Sequence, residues 1–300
     1  GDEVQASILV IDRGPTPPLT WSFVACVPTP TRIGVPICGT VIDGCNGCVG
    51  PPPSDPFAFP VIGFPVPAQE VLDAFEAKEV LLQGLVCGNG SPSAEALARV
   101  LSGETNDLMP CEGPPIIPGQ PIEGRLVTVQ IPIERNPENP NLNPEILNVF
   151  LDGRTWPPPY EEDVPRDAPV TGCKADLEAV GEEERAKHPV AGSPASTINL
   201  SVTPNSLQSF TIDDRDFTEE IQVSWLADGG GFEVAFSFIT QPPSPDAVPS
   251  ILTQWQPFSD VPEDGRLVRF NFVVRDGRGG LDRVERGLCL LRPGSTESPP

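Results

Sequence analysis

The chain holds a single histidine, His188, and eight cysteines: Cys26, Cys38, Cys45, Cys48, Cys87, Cys111, Cys173 and Cys289. A nucleophile–His–acid triad would have to use His188 as its base. That residue precedes Pro189 in the charged stretch "EERAKHPV", which reads as a solvated loop. The reading removes most histidine-dependent hydrolase and metal chemistry. "CNGC", residues 45–48, has the spacing of a redox pair. Such pairs normally open a helix after a strand, whereas this one lies among Gly and Pro. Cys26, Cys38, Cys45 and Cys48 could together supply the four thiolates of a zinc site. The even cysteine count fits structural disulfides in an oxidising compartment better.

Carboxylates are the other chemical resource. "EED" (161–163), "DDRD" (213–216) and Asp276 with Asp282 could offer oxygen ligands to Ca2+, but none has the layout of a dedicated calcium loop. They read as solvated faces or turns, and no cofactor is called for. Glycoside hydrolysis would need spaced acids in a deep cleft, and no motif points to one. The glycines of "DGRGG" join two strands rather than preceding a helix, so they make a hairpin and not a phosphate loop.

The elements that must carry these residues read as strands. Forty Pro and 28 Gly interrupt a chain whose apolar residues are gathered into short alternating runs, which disordered chains do not show. Val4, Ala6, Ile8 and Val10 share a face, and Leu19, Trp21, Phe23 and Ala25 share the next. Residues 26–67 form an irregular Cys- and Pro-rich insertion, too apolar for a linker. "AQEVLDAF" and "SPSAEALARVLSG" predict short helices, the second with a Ser cap. "EVLLQGLVCGNG" and "GRLVTVQIPIE" predict two further strands.

Three Asn-Pro steps in "RNPENPNLNP" (135–144) predict a stiff extended joint between a first domain at 1–134 and a second at 145–292. The second domain opens with a strand and an Asp-Gly turn, and "ADLEAVGEEERAKH" is weakly helical. "TINLSV" predicts a strand with Ile198, Leu200 and Val202 on one face. "EEIQVSWLADGGGFEVAFSFI" carries Trp225 on its apolar parity, and "GRLVRFNFVVRDGRGGLDRVERGLCLL" is a long hairpin. Residues 293–300 read as a flexible tail.

The fold class is all-β: two immunoglobulin-like β-sandwiches with short helices and the long Cys/Pro-rich insertion in the first. Trp21 and Trp225 would each fill the roughly 10 Å between facing sheets. In the second domain the two cysteines leave only the pair Cys173–Cys289. In the first many pairings are open, and Cys26 with Cys87, at the ends of neighbouring strands, is the one favoured.

A net charge of −23 and a pI near 4.2 leave no basic stripe to displace counterions from nucleic acid or to adsorb to anionic lipid. No apolar run approaches the roughly 20 residues of a membrane-spanning helix. Gly1 opens directly on a strand, so processing or disorder is expected to have removed what came before.

Three stretches together resemble a family. They are the opening Gly-Asp-x-Val strand with "LTWSFVAC" and "LVCGNG", the joint "NPNLNPEILNVFLDGRTW", and "VSWLADGGGFE" followed by "FNFVVRDGRGGLD". The pattern is similar to secreted lipoproteins of myxobacteria and related bacteria, built from immunoglobulin-like or PKD-like domains. That resemblance implies a lipid anchor on a cysteine upstream of Gly1 and transfers no catalytic residue. The expected function is a non-enzymatic extracytoplasmic scaffold, at the outer membrane, cell surface or periplasm, that binds a protein partner in a larger assembly. Membrane contact would come through the anchor alone. Phe57, Phe59 and Phe64, spaced among prolines at 49–67, are the expected contact residues. The alternative is a carbohydrate-binding or adhesive module using Trp156, Tyr160 and Trp255.

Overall fold

A computed structural model describes residues 3–8, 18–29, 36–50, 60–88, 90–102, 108–114, 122–133, 140–212, 215–240, 244 and 247–294. The chain is all-β with a few short helices, and it divides into two compact units, within residues 1–136 and within residues 137–300.

In the first unit the elements run β1 (Glu3–Ser7), β2 (Leu19–Thr29), β3 (Ile37–Val41), β4 (Val49–Gly50), β5 (Val61–Pro65), α1 (Gln69–Ala74), β6 (Glu79–Gly88), β7 (Ser91–Pro92), α2 (Ala94–Leu101), β8 (Leu108–Glu112) and β9 (Ile122–Pro132). One sheet follows the order β3-β2-β6-β9-β8-β7, with β4 also paired to β2. The antiparallel pair β1–β5 makes a second, smaller layer. β6 reads as nearly unbroken apolar sequence because both of its faces are covered. Val80, Leu82 and Val86 join Trp21, Phe23, Ile62 and Phe64 in one core, while Leu85 and Cys87 join Ala96 of α2, Cys111 and Ile122 in another. Ser93 caps α2, its Oγ accepting the Ala96 N–H at 2.9 Å.

The second unit runs β10 (Ile146–Leu151), β11 (Arg154–Thr155), α3 (Lys174–Ala179), α4 (Glu182–Arg185), β12 (Ser196–Val202), β13 (Ser209–Ile212), β14 (Arg215–Thr218), β15 (Ile221–Ala227), β16 (Gly231–Phe232), β17 (Phe236–Ile239), β18 (Ser250–Gln256), β19 (Arg266–Arg275) and β20 (Leu281–Leu290). Two sheets, β11-β10-β12-β18-β16 and β17-β15-β19-β20, contribute to a single core. The sequence predicts one aromatic pin there. The core instead gathers Trp156, Trp225 and Trp255 around Phe270 and Phe272, with edge-to-face centroid distances of 4.8 Å for Trp255–Phe270 and 5.3 Å for Trp156–Phe270. Each indole N–H is satisfied: Trp156 donates to Gly287 O (2.8 Å), Trp225 to Ser237 Oγ (3.0 Å) and Trp255 to Gly229 O (3.0 Å).

The second half of the expected Asn-Pro joint is part of the second unit. Asn141 Nδ2 donates to Asp276 Oδ2, the Leu142 N–H to Gln208 Oε1, and the Glu145 N–H to Ser206 Oγ, at 2.8, 2.8 and 2.9 Å. These bonds anchor residues 141–145 to the β19–β20 hairpin and to the turn before β13. In the long segment before β12, Gly181 at φ 92° breaks the predicted weak helix into α3 and α4. The same segment closes the free edge of β20. The Gly287 N–H donates to Tyr160 O at 2.9 Å, and buried Arg269 donates to the carbonyls of Val164, Pro165 and Ala168 while pairing with Glu285 at 3.1 Å.

Candidate functional site

All eight cysteines are consumed in four disulfides, which fit an oxidising, extracytoplasmic environment. Cys173 joins Cys289, closing the second unit's long segment onto β20. In the first unit the expected Cys26–Cys87 pair is replaced by Cys26–Cys38 and Cys87–Cys111. The register explains why. β2 folds back against β3 with Pro28 opposite Cys38, and Cys87 lies on the α2 side of β6, where Cys111 of β8 also packs. "CNGC" closes on itself as Cys45–Cys48, and the Gly47 carbonyl between them accepts the Trp21 Nε1–H at 2.8 Å.

His188 is buried, not solvated. Its Nε2–H donates to Pro158 O at 2.8 Å, and its Nδ1 accepts the Cys289 N–H at 3.3 Å. Both ring nitrogens are thereby spent, and burial pushes the imidazole pKa below its ordinary value. A cavity of about 340 Å³ opens beside it, lined by Glu182, Arg185, His188, Val190, Cys289 and Leu291, and its histidine has no lone pair or proton to spare for a substrate.

The acids are equally occupied. Asp276 Oδ1 accepts the N–H groups of Arg278 and Gly280 at 2.8 Å each, which builds the hairpin turn, and Asp282 Oδ2 accepts the Ile146 N–H at 2.8 Å. In "EED", Asp163 accepts the Glu285 N–H; in "DDRD", Asp213 and Asp214 lie outside the described residues. No acidic or Cys/His group among the described residues is arranged to hold a metal ion.

Phe64, expected at a contact surface, is buried in the first core, because β5 pairs with β1 and turns that ring inward. Phe57 and Phe59 lie outside the described residues. The rings considered for sugar stacking are buried too. Trp156 and Trp255 are core residues, and Tyr160 is packed with Val164, Leu177 and the Cys173–Cys289 bridge. Its hydroxyl donates to Asp176, and burial together with that bond pushes the phenol pKa well above its ordinary value. The carbohydrate reading loses all three of its residues.

What the second unit does expose is an apolar stripe on the outer side of the β17–β15 pair. Phe236 is 54% and Phe238 48% exposed, with Val234 at 42% and Leu226 at 40%. β15 and β17 pair with Ser224 opposite Phe236 and Gln222 opposite Phe238. The Trp225 N–H donates to Ala235 O at 3.0 Å, which continues that register and sets Leu226 opposite Val234. All four side chains therefore share one face, away from Trp225. Isolated exposed apolar residues need no explanation, whereas a contiguous group of four does. The signal in "GFEVAFSFI" misleads, because the more apolar parity suggests the core side. Inward stand Ser237 and Ile239 instead; the Trp225 indole fills the space that a Phe would take, and the Ser237 hydroxyl completes its hydrogen bond.

The middle of this face, beside the stripe, carries arginine. Arg275, opposite Gln222 on β19, is exposed, and its Nη1 donates to Ser224 Oγ at 3.1 Å. That bond draws the guanidinium one strand inward, beside Phe236. Arg283 lies in the adjacent column, opposite Val273. Carboxylates sit at the ends of the face. Glu220 precedes β15, and Asp228 and Glu285 cluster with Arg269, where burial first, against the pull of arginine, raises both pKa values. No family model, curated protein or solved structure matches the chain closely enough to support an argument from relatedness.

Proposed function

We propose that the chain is a non-enzymatic, extracytoplasmic binding module that docks a protein partner through the outer face of β15 and β17. The observation that carries this is the exposed group Leu226, Val234, Phe236 and Phe238. Groups that could have done chemistry are spent on structure: His188 on two hydrogen bonds, the cysteines on bridges, Asp276 and Asp282 on turns. The proposed contact surface is on the second unit. Two facing sheets with a tryptophan on β15 support an immunoglobulin-like or PKD-like identity for that unit. The lipoprotein resemblance adds a lipid anchor upstream of Gly1 and residence at the outer membrane, cell surface or periplasm.

The test is assembly size. The wild-type chain, recovered from its own cell envelope under mild detergent, is expected to migrate in a complex well above its 32.0 kDa mass. A Phe236→Ser/Phe238→Ser double variant is expected to migrate alone. A wild-type chain that runs at its own mass overturns the scaffold reading.

A further inference from the structure

β17 is the outermost strand of its sheet, and among the described residues nothing pairs with its free side. Because the Trp225 N–H donates to Ala235 O, the register makes 235, 237 and 239 the residues bonded toward β15. The N–H and C=O groups of Phe236 and Phe238 therefore point to the open edge. Proteins ordinarily protect such an edge with charge, proline, a bulge or a covering segment. The opposite edge of this sheet is covered in that way by residues 156–164, through Tyr160 O, Asp163 and the Trp156 indole. "FSFI" carries no charge and no proline, and its two rings are in edge-to-face contact at 5.9 Å. Among the described residues, one edge of the sheet is closed and the other has no strand paired to it.

We propose that the occupant is an extended acidic–apolar segment of a partner protein, added as a further strand on β17. This deepens the docking role proposed above and rests on it. Backbone bonds to Phe236 and Phe238 would hold the segment, and its apolar side chains would lie on their rings, the usual division of labour in strand addition. The sign of the segment follows from Arg275. Its guanidinium is held by the neutral Ser224 hydroxyl beside Phe236; Gln222 and Leu281 stand opposite it, and the nearest same-face carboxylate in the register, Glu220, lies on the other side of Gln222, away from Phe236. It stands about 10 Å in from an added strand, two strand spacings, within reach of a Glu side chain laid across Phe236. A Glu side chain reaching inward from that strand brings its carboxylate inside the roughly 8 Å over which charges act at physiological ionic strength, so Arg275 sets the local preference. A second copy of the chain would bring "FSFI" to the edge, which offers Arg275 no counter-charge.

The probe is a synthetic strand peptide with Thr on one parity and alternating Val and Glu on the other. Its comparators are the same peptide with Lys for Glu and the same peptide N-methylated at alternate amides. Binding is read by fluorescence anisotropy on the intact, oxidised chain. The Glu peptide is expected to bind at least ~10-fold tighter than the Lys peptide. Arg275→Glu reverses that order, N-methylation abolishes binding, and Phe236→Ser/Phe238→Ser abolishes it as well. Leu252→Ser, an exposed substitution on the other sheet, leaves it unchanged and controls for folding. Equal binding of the Glu and Lys peptides overturns the proposal, and so does indifference to N-methylation. So does a concentration-dependent dimer that the double variant abolishes, which would make the occupant a second copy. If the native complex dissolves in the double variant while the peptides fail to discriminate, the docking face stands and the acidic strand falls. If the native complex survives the double variant, the face falls too.

Discussion

Gly50 lies against the Trp21 indole so closely that a Cβ on it would come within 2.1 Å of ring atom Cζ2. A methyl group there must push the ring, which is also tied to the Gly47 carbonyl. Gly50→Ala is therefore expected to destabilise the first unit by about 1–3 kcal/mol, the usual cost of overpacking, measured by chemical denaturation. A loss within error would mean that the indole is not held between the "CNGC" loop and β4. His188 makes a pH prediction. Its folded pKa lies below the ordinary 6.5, so the unfolded chain binds the proton more readily. The contribution of this residue is complete above pH 6.5 and is lost as pH falls toward the folded pKa, with a slope of up to about 1.4 kcal/mol per pH unit. Glu219, Asp228 and Glu285 are raised, chiefly by burial, and act in the opposite direction: they favour the folded state at low pH and lose that contribution as pH rises through their folded values. Comparison with His188→Gln, which keeps a donor and an acceptor, isolates the histidine. Identical stability–pH curves for the two chains would refute its burial as a neutral ring.

Among the elements, the two edges of the β17–β20 sheet make opposite predictions. Truncating Phe236 and Phe238 to Ser removes rings that are about half in water, and the expected loss is about 1–2 kcal/mol for the pair together. Phe270→Ala, in the centre of the tryptophan cluster on the inner face of the same sheet, is expected to cost about 3–5 kcal/mol. Comparable losses from both would place β17 in the core. The contrast also measures what the sequence alone could yield. Alternation alone makes β2 and β15 readable and puts Trp21 and Trp225 inside, because apolar residues hold one parity of each around the indole. β17 carries apolar residues on its outward parity, so its facing is decided by register with β15, a long-range fact. Trp255 is hidden similarly: Thr253 interrupts the inward parity of "SILTQWQ". Cysteine pairing depends on which strands become neighbours. It was legible for Cys173–Cys289, where no other pairing within the domain exists, and not for Cys26, whose partner is set by the fold-back of β3.

At the scale of the whole molecule, each unit has its own buried core and its own bridges. Among the described residues, the second unit's tryptophan cluster, its closed β20 edge and the Cys173–Cys289 link are all made by residues after 140. Closing a loop with a sequence separation of 116 stabilises by roughly 5 kcal/mol in the chain-entropy model, a large share of the roughly 5–15 kcal/mol of net stability of an ordinary domain. Residues 137–300, expressed alone in an oxidising compartment, are therefore expected to unfold cooperatively, at the midpoint the same unit shows in the full chain. Trp156, Trp225 and Trp255 report this transition directly, and a Trp21→Phe background makes the full chain report the same three rings. Reduction should lower the fragment's stability by several kcal/mol, since its one bridge is Cys173–Cys289. A fragment that shows no cooperative transition while oxidised would mean that the second core depends on the rest of the chain. The β17 edge would then have to be tested only within the intact protein.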